Sequence, residues 1–515
     1  MLGRPRRPGP APRHRRQHRL RRLPPRPRRT PRITAGAPGP RATRPSADHP
    51  KNSSTNRGRT RPSRRPPVRG PSDTAAPRTP AAARARSVLP VWSIVNTFDL
   101  VIVGAGPAGL AAAHRLAGSP YRVALVDGGK PVTARDRYAA EDLTRGHGGA
   151  GLFSDGKFSF FPSASELWTL PRAEDLRAAY DWTCELLGSY GLDTPPYPSD
   201  PTAYTVGSGE WVLKEYPSDY LSLEARLRLT EDMVAATDAT VLTGSEVVKT
   251  AYDPVADAFR LVLRGADGQE SELVARRLLL ASGRFGPLGL DTLTSEHSFR
   301  RLEVGFRIQQ PADRAFFRDM KQLDPKLRFR EEDGGVEWRT FCACRDGEAA
   351  LTETQGLWTV SGRSDCPPTG RSNVGFNTRI MDEEVARRAM APALAAMADE
   401  ASHFTVPMTA LVDGEPEAVA TFDRVYGPEL REIMVRGLSR LADAFPVIRD
   451  EETQLIGPTL EGVGWYPRVD GDLRLADAPA WVAGDACGLF RGIVAAMISG
   501  HYAADSALRD LAGAR

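Results

Sequence analysis

Residues 99–127 read DLVIVGAGPAGLAAAHRLAGSPYRVALVD, and no other stretch constrains the fold as tightly. Leu100–Val103 is an apolar run long enough for one buried strand. Gly104, Gly106 and Gly109 follow it at once as G-x-G-x-x-G, with Pro107 and Ala108 inside the motif. Ala111–Leu116 predicts a helix and Arg122–Val126 a second buried strand. That strand ends in Asp127, 23 positions after the first glycine. The pattern is a βαβ unit built to hold a dinucleotide. Gly104 permits the tight turn, Gly106 lets backbone approach a pyrophosphate, and Gly109 lets helix and strand pack closely. Free N–H groups and the positive dipole end at the helix start hold phosphates. Asp127 is placed to accept from ribose hydroxyls.

The chain has 515 residues, enough for two domains, and a net charge of +5 that conceals two unlike parts. Residues 1–90 carry 25 Arg and Lys against only Asp48 and Asp73, giving +23, while the remainder is −18. Nineteen of the 43 prolines also fall in that first segment. Such a composition buries too little apolar surface to offset its ordering entropy, so residues 1–94 are expected to be a disordered basic tail. If real, the tail points to nucleic acid or an acidic surface; otherwise no nucleic-acid partner is expected. A transit peptide is another reading, although no clear amphipathic period supports it. A third is translated upstream sequence. No methionine lies between Met1 and Met233, and Val95 just before the first strand suits a GTG start.

No run of about 18 apolar residues is present, so no membrane span is expected. The cysteines are Cys184, Cys342, Cys344, Cys366 and Cys487. Their odd, scattered count suits a reducing cytoplasm. Cys342-x-Cys344 lacks the C-x-x-C spacing and reads as structural thiols. No metal site is expected, because His147, His297, His403 and His501 share no ligand spacing and none has a triad partner nearby.

Helices are predicted at 172–188, 221–236, 383–401 and 427–444. A β-meander runs through Val247–Ala251, Phe259–Leu263 and Leu273–Ala275, with Asp267-Gly268 as its turn. Arg277–Ala281 reads as a further buried strand before Ser282 and Gly283. Short strands fill 303–380, and a strand at Ala480–Ala483 precedes Gly484-Asp485 and a helix over Ile493–Ala507. One domain is therefore assembled from separate segments around an inserted one. The expected boundaries are 97–165, 221–300 and 455–512 for the nucleotide domain, 166–220 for a helical insertion, and 301–454 for a substrate domain. The fold class is α/β: a doubly wound Rossmann-like domain with an inserted α+β domain.

The closing segment 481–496, WVAGDACGLFRGIVAA, carries a second signal. Asp485 suits ribityl hydroxyls, Gly488 and Gly492 let backbone approach a flavin ring, and the helix opening at Ile493 points positive potential at the N1/O2 edge, which raises the reduction potential. Gly148, Gly149 and Gly151 form a further glycine run beside Phe153-Ser154-Asp155-Gly156-Lys157. These segments, with Arg339-Thr340-Phe341-Cys342-x-Cys344 and Thr359-Val360-Ser361-Gly362, resemble the FAD-dependent dehydrogenases of the glutathione-reductase-like superfamily. The likeness is to a broad group carrying a GGAG-x-FSDGK segment, and it spans roughly residues 97–510. The resemblance implies non-covalent FAD, a doubly wound domain and a mixed-sheet substrate domain. It departs at Ala281-Ser282-Gly283, where the superfamily usually has Ala-Thr-Gly; serine keeps the hydroxyl.

Gly148, Gly149 and Gly151 are expected to pass close to the flavin. Ser154, Asp155 and Lys157 are either contacts at the ring or substrate, or solvated polar residues of a glycine loop. Arg307, Arg339, Arg363 and Arg371 could share one sheet face and suit an anionic substrate, with Arg339 the substrate candidate; surface ion pairs are the other reading. Gly283-x-x-Gly286-x-x-Gly289 has the wrong spacing for a second dinucleotide fold, so NAD(P)H, if it is the donor, docks without one. The expected function is hydride transfer through flavin N5 to or from a small-molecule substrate. An FAD-dependent RNA-modifying enzyme and a flavin-bound scaffold or sensor are the alternatives.

Overall fold

The computed structural model describes residues 96–203, 211–214 and 216–513. The predicted tail at 1–94 lies outside the described residues.

The opening motif folds as its pattern dictates. The strand Asn96–Val103 pairs in parallel with Val123–Val126 on one side and Glu270–Leu280 on the other. Thr240–Leu242 extends the first edge, and Ala480–Val482 pairs in parallel with Glu270–Leu280. Ser245–Asp253 and Ala258–Gly265 complete this seven-stranded sheet as an antiparallel meander. The meander is as predicted, but its last strand and the separate strand expected at Arg277–Ala281 are one continuous element, Glu270–Leu280. Leu100, Val101, Ile102, Leu278 and Leu279 are fully buried, as a central strand covered on both faces requires.

Two helices cover one region of this sheet backbone to backbone. The helix Pro107–Leu116, with Pro107 at its first position, lies against Ile493–Gly513. A Cβ on Gly500 would sit 2.0 Å from the Ala108 carbonyl oxygen, so only glycine permits this approach.

The second sheet also has seven strands, in the order Phe404–Pro407, Gln454–Pro467, His297–Pro311, Arg371–Ile380, Val336–Cys344, Lys326–Arg330 and Val212–Lys214. Every pair in it is antiparallel, so the mixed strand directions lie in the first sheet instead. Its own core includes Phe306, Trp338, Phe376, Phe422 and Leu438. The helices Glu383–Met397 and Pro416–Ala444 pack here; the second is broken by non-helical backbone at Gly427, φ 76°, and its later half is the helix expected at 427–444. Gln454–Pro467 was expected in the closing nucleotide segment 455–512, but its partner is His297–Pro311 in the second sheet. The chain returns to the first sheet only at Ala480–Val482.

Candidate active site

Three adjacent parallel strands, Asn96–Val103, Glu270–Leu280 and Ala480–Val482, each end in a glycine-bearing turn, so all three turns meet at one sheet edge. That edge, outside the carboxyl ends of the strands, is where open α/β sheets bind ligands. Gly104 has φ 103°, and a Cβ there would lie 2.4 Å from the Ala281 carbonyl oxygen. The first turn and the Ser282 turn therefore touch through backbone. Gly106 caps the following helix in an extended conformation and no side chain takes its first N–H groups, which leaves them for an anion.

A cavity of about 650 Å³ opens here. The wall contributed by the first sheet holds Gly104, Gly106, Pro107, Ala108, Asp127, Gly149, Gly151, Ser282, Gly283, Gly484, Asp485, Gly492 and Ile493. Ser154, Asp155, Lys157, Arg307, Arg339 and Arg363, none of them from the first sheet, also line the cavity. Three of the expected glycines do not line it. Gly109 faces the Gly104 carbonyl oxygen, which a Cβ would approach to 1.7 Å, so its role is helix–strand packing. Gly148, φ 83°, faces Thr230. Gly488, expected at a flavin ring, faces the Tyr466 ring instead, which a Cβ there would approach to 2.6 Å. Arg371, the fourth of the arginines considered together, also lies off the cavity wall.

Asp127 does more than the sequence suggests. Its Oδ2 accepts from Ala105 N at 2.7 Å, and its Oδ1 accepts from Gly129 N at 2.8 Å and Gly146 N at 2.9 Å. One carboxylate thus ties the phosphate turn to the glycine loop, with acceptor capacity left over. Arg135, absent from the sequence reading, holds that loop from behind. Its buried guanidinium donates to the carbonyls of Asp142 (2.5 and 2.9 Å), His147 (2.5 Å) and Gly149 (3.1 Å). The Ser282 hydroxyl lines the cavity, buried and without a hydrogen-bond partner.

Between the two sheets runs a charge network that no sequence spacing announced. Glu303 is fully buried. It pairs with Arg301, with Arg339 at 2.9 Å, with Arg491 at 3.1 Å and with Arg379 at 3.4 Å, and accepts from Asn377 at 2.7 Å. Burial alone would raise its pKa, but the four guanidinium groups hold it well below the usual carboxylate range. Arg491 also reaches Asp485 at 3.1 Å, and Arg284 pairs with Glu461 at 2.7 Å. Asp485, the expected ribityl acceptor, is thereby oriented by an arginine one residue before Gly492.

Lys157, which also lines the cavity, pairs with Asp155 at 3.1 Å and donates to the Ala343 carbonyl. Ser154 is turned inward, donating to the Gly151 carbonyl at 2.9 Å. Cys342, read from sequence as a structural thiol, lines the cavity. Among the described residues no three His, Cys, Asp or Glu side chains gather as a metal site, and no helix is long and apolar enough to cross a membrane.

The model of the pyridine nucleotide-disulphide oxidoreductase family matches residues 98–302, a stretch that contains most of the first sheet. No curated protein matches the chain. Among solved structures, a flavoprotein/dehydrogenase from Cytophaga hutchinsonii is 15% identical, with 81% of this chain and 79% of that chain covered at a TM-score of 0.39. A geranylgeranyl bacteriochlorophyll reductase-like protein from Thermoplasma acidophilum is 11% identical, covering 82% and 80% at 0.38. A myxobacterial chondrochloren halogenase described as FAD-dependent is 14% identical, covering 82% and 76% at 0.35. At these TM-scores the likenesses bear on neither substrate nor reaction. The Rossmann-like dinucleotide-binding domain of oxidoreductase type stands on the family match and the fold.

Proposed function

We propose that the protein is an FAD-dependent oxidoreductase acting on a small molecule held against the second sheet. The observation that carries this reading is the convergence of the Gly104, Ser282 and Gly484 turns on one cavity of about 650 Å³. An NAD site needs only the first of these. The third turn, with a helix starting at Ile493, suits a longer ligand with a polyol and a ring beyond its pyrophosphate. The unpartnered Ser282 hydroxyl and the free N–H groups after Gly106 fit such a ligand.

The residues divide the work. The turn at Gly104–Pro107 and the helix behind it would hold the pyrophosphate, and Asp127 the adenosine ribose. Asp485, fixed by Arg491, would accept from the ribityl chain. The helix beginning at Ile493 would direct positive potential at one edge of the ring. When bound, the flavin supplies electron-pair transfer. Lys157, Arg307, Arg339 and Arg363, which line the cavity, would bind and orient the substrate. NAD(P)H is proposed as donor; Gly286–Gly289 forms a short 3-10 turn and offers it no second phosphate loop.

The test is purification of the full chain, a visible spectrum, and chromatography of the ligand released on heating. Flavin absorbance with released FAD is expected, followed by bleaching with NADH or NADPH under anaerobic conditions. No flavin absorbance after incubation with FAD, or release of FMN or NAD instead, overturns the proposal.

A further inference from the structure

The strand His297–Pro311 pairs with Arg371–Ile380, which pairs in turn with Val336–Cys344. Register places Arg307, Gly375 and Phe341 in one row across these three strands, so all three share one face of the second sheet. Arg339 lies two residues before Phe341, on the same face. Gly375 has no side chain, and the Phe341 ring fills the space above it. A Cβ on Gly375 would come within 2.3 Å of two adjacent ring carbons and 2.8 Å of a third, so the ring lies flat on the sheet. Arg307, Arg339 and Phe341 all line the cavity.

Charge around this ring is unbalanced. Arg307 is 1% exposed, and no carboxylate lies within ion-pair distance of it among the described residues. Its Nε donates to Asn373 at 2.5 Å and its Nη2 to the Cys342 carbonyl at 2.5 Å, while Nη1 makes no hydrogen bond among the described residues. Gly362 packs against this guanidinium, where a Cβ would meet Nη2 at 2.3 Å, so the group is held in place. Arg339 has only Glu303 as an ion-pair partner among the described residues, and shares it with Arg301, Arg379 and Arg491. Its Nε is buried without a hydrogen bond. Desolvation, and then the neighbouring Arg379, lower its pKa to about 10 against the pull of Glu303. The two lysines that line the cavity are already paired, Lys157 with Asp155 and Lys326 with Asp324, each at 3.1 Å. A buried guanidinium without a counter-charge is costly, and an anion bound beside it offsets that cost.

We propose that the cavity binds a planar, unsaturated carboxylic acid as its substrate, with the carboxylate on Arg307 and Arg339 and the π-system stacked on Phe341. The inference rests on the flavin reading above for the reaction, and deepens it by naming the substrate class. The planar guanidinium fork matches a carboxylate. Only Arg307 is wholly unshared, which suits a singly charged carboxylate better than a doubly charged phosphate. A flat aromatic floor favours a flat ligand in an offset stack over a puckered aliphatic one.

The test is equilibrium dialysis of the FAD-loaded full chain against benzoate, with benzamide, cyclohexanecarboxylate and phenyl phosphate as comparators. Benzoate should bind at least about tenfold more tightly than benzamide, the worth of one charged hydrogen bond. It should bind about three- to tenfold more tightly than cyclohexanecarboxylate, the worth of one aromatic stack. Neither comparison needs a variant. Arg307→Met should weaken benzoate at least about tenfold and leave benzamide unchanged. Phe341→Leu should bring benzoate down to the level of cyclohexanecarboxylate, and Arg371→Met, which does not line the cavity, should change neither. Benzoate that binds no more tightly than benzamide overturns the carboxylate seat. Equal binding of cyclohexanecarboxylate overturns the stacking, and tighter binding of phenyl phosphate overturns the carboxylate in favour of a phosphate monoester. FAD-loaded protein that binds no benzoate overturns the inference and leaves the proposed function standing. A chain that selects benzoate through Arg307 but takes up no FAD keeps the acid site and overturns the proposed function.

Discussion

Replacing Glu303 with glutamine keeps its shape and removes its charge from the centre of four guanidinium groups. Arg379 retains Glu337 at 2.6 Å, and Arg491 retains Asp485 at 3.1 Å. Arg301 and Arg339 have no other carboxylate partner among the described residues. Removing one member of a buried pair costs about 3–5 kcal/mol, because the remaining charge stays buried. Glutamine still accepts one hydrogen bond, so the expected loss is near the lower end, about 3 kcal/mol, or roughly a hundredfold in the unfolding equilibrium. Urea midpoints of wild type and E303Q at neutral pH measure it. The pH dependence has a defined sign. The folded-state pKa of Glu303 is depressed, so its stabilisation is fully present above the unfolded value of about 4.5 and fades as pH falls toward the folded value. The two stability curves should run parallel near neutrality and converge below about pH 4. The exposed pair Arg177–Asp181 serves as the control, since Asp181→Asn should change stability by less than about 1 kcal/mol. A loss of under about 1 kcal/mol in E303Q, with flavin retained, refutes the network as a buried electrostatic unit.

Asp127→Ala removes the acceptor for three backbone N–H groups as well as the ribose contact, so FAD affinity should fall at least about tenfold, from about 1.5–3 kcal/mol per charged hydrogen bond. Fluorescence titration that finds unchanged affinity in the folded variant sinks that role. Gly109→Ala should yield protein that is insoluble or free of cofactor, given the 1.7 Å approach to the Gly104 carbonyl oxygen. Gly118→Ala, with nothing near its Cβ but φ 74°, should cost only about 1–2 kcal/mol and keep its flavin. Arg135→Met should free the glycine loop, read as faster proteolysis within residues 146–151 and a lower flavin content; wild-type protease resistance would contradict the bracing role.

The first sheet was legible because its signals are local. Gly104, Gly106 and Gly109 sit within six residues of one another, and the turn at Asp267-Gly268 lies between the strands it joins. Gln454–Pro467 was misplaced for the opposite reason. Nearly all of its residues are buried on both faces, so it lacks the alternation that marks a half-exposed antiparallel strand. The Glu303 network was invisible in sequence because register, not spacing, makes it: Glu303 lies opposite Arg379 in one strand pair, and Arg379 opposite Glu337 in the next.

The contact of Gly500 with the Ala108 carbonyl joins the first helix of the nucleotide domain to the last. About 380 residues of synthesis separate them, or about 20–80 s at about 5–20 residues per second. Throughout that interval the face of Pro107–Leu116 that the last helix will cover has no partner, and the Gly484 turn does not yet exist. A nascent chain that has not yet reached Ile493 can thus fold its first βαβ unit but cannot close the dinucleotide cavity. Closure of that cavity waits for the helix that begins at Ile493.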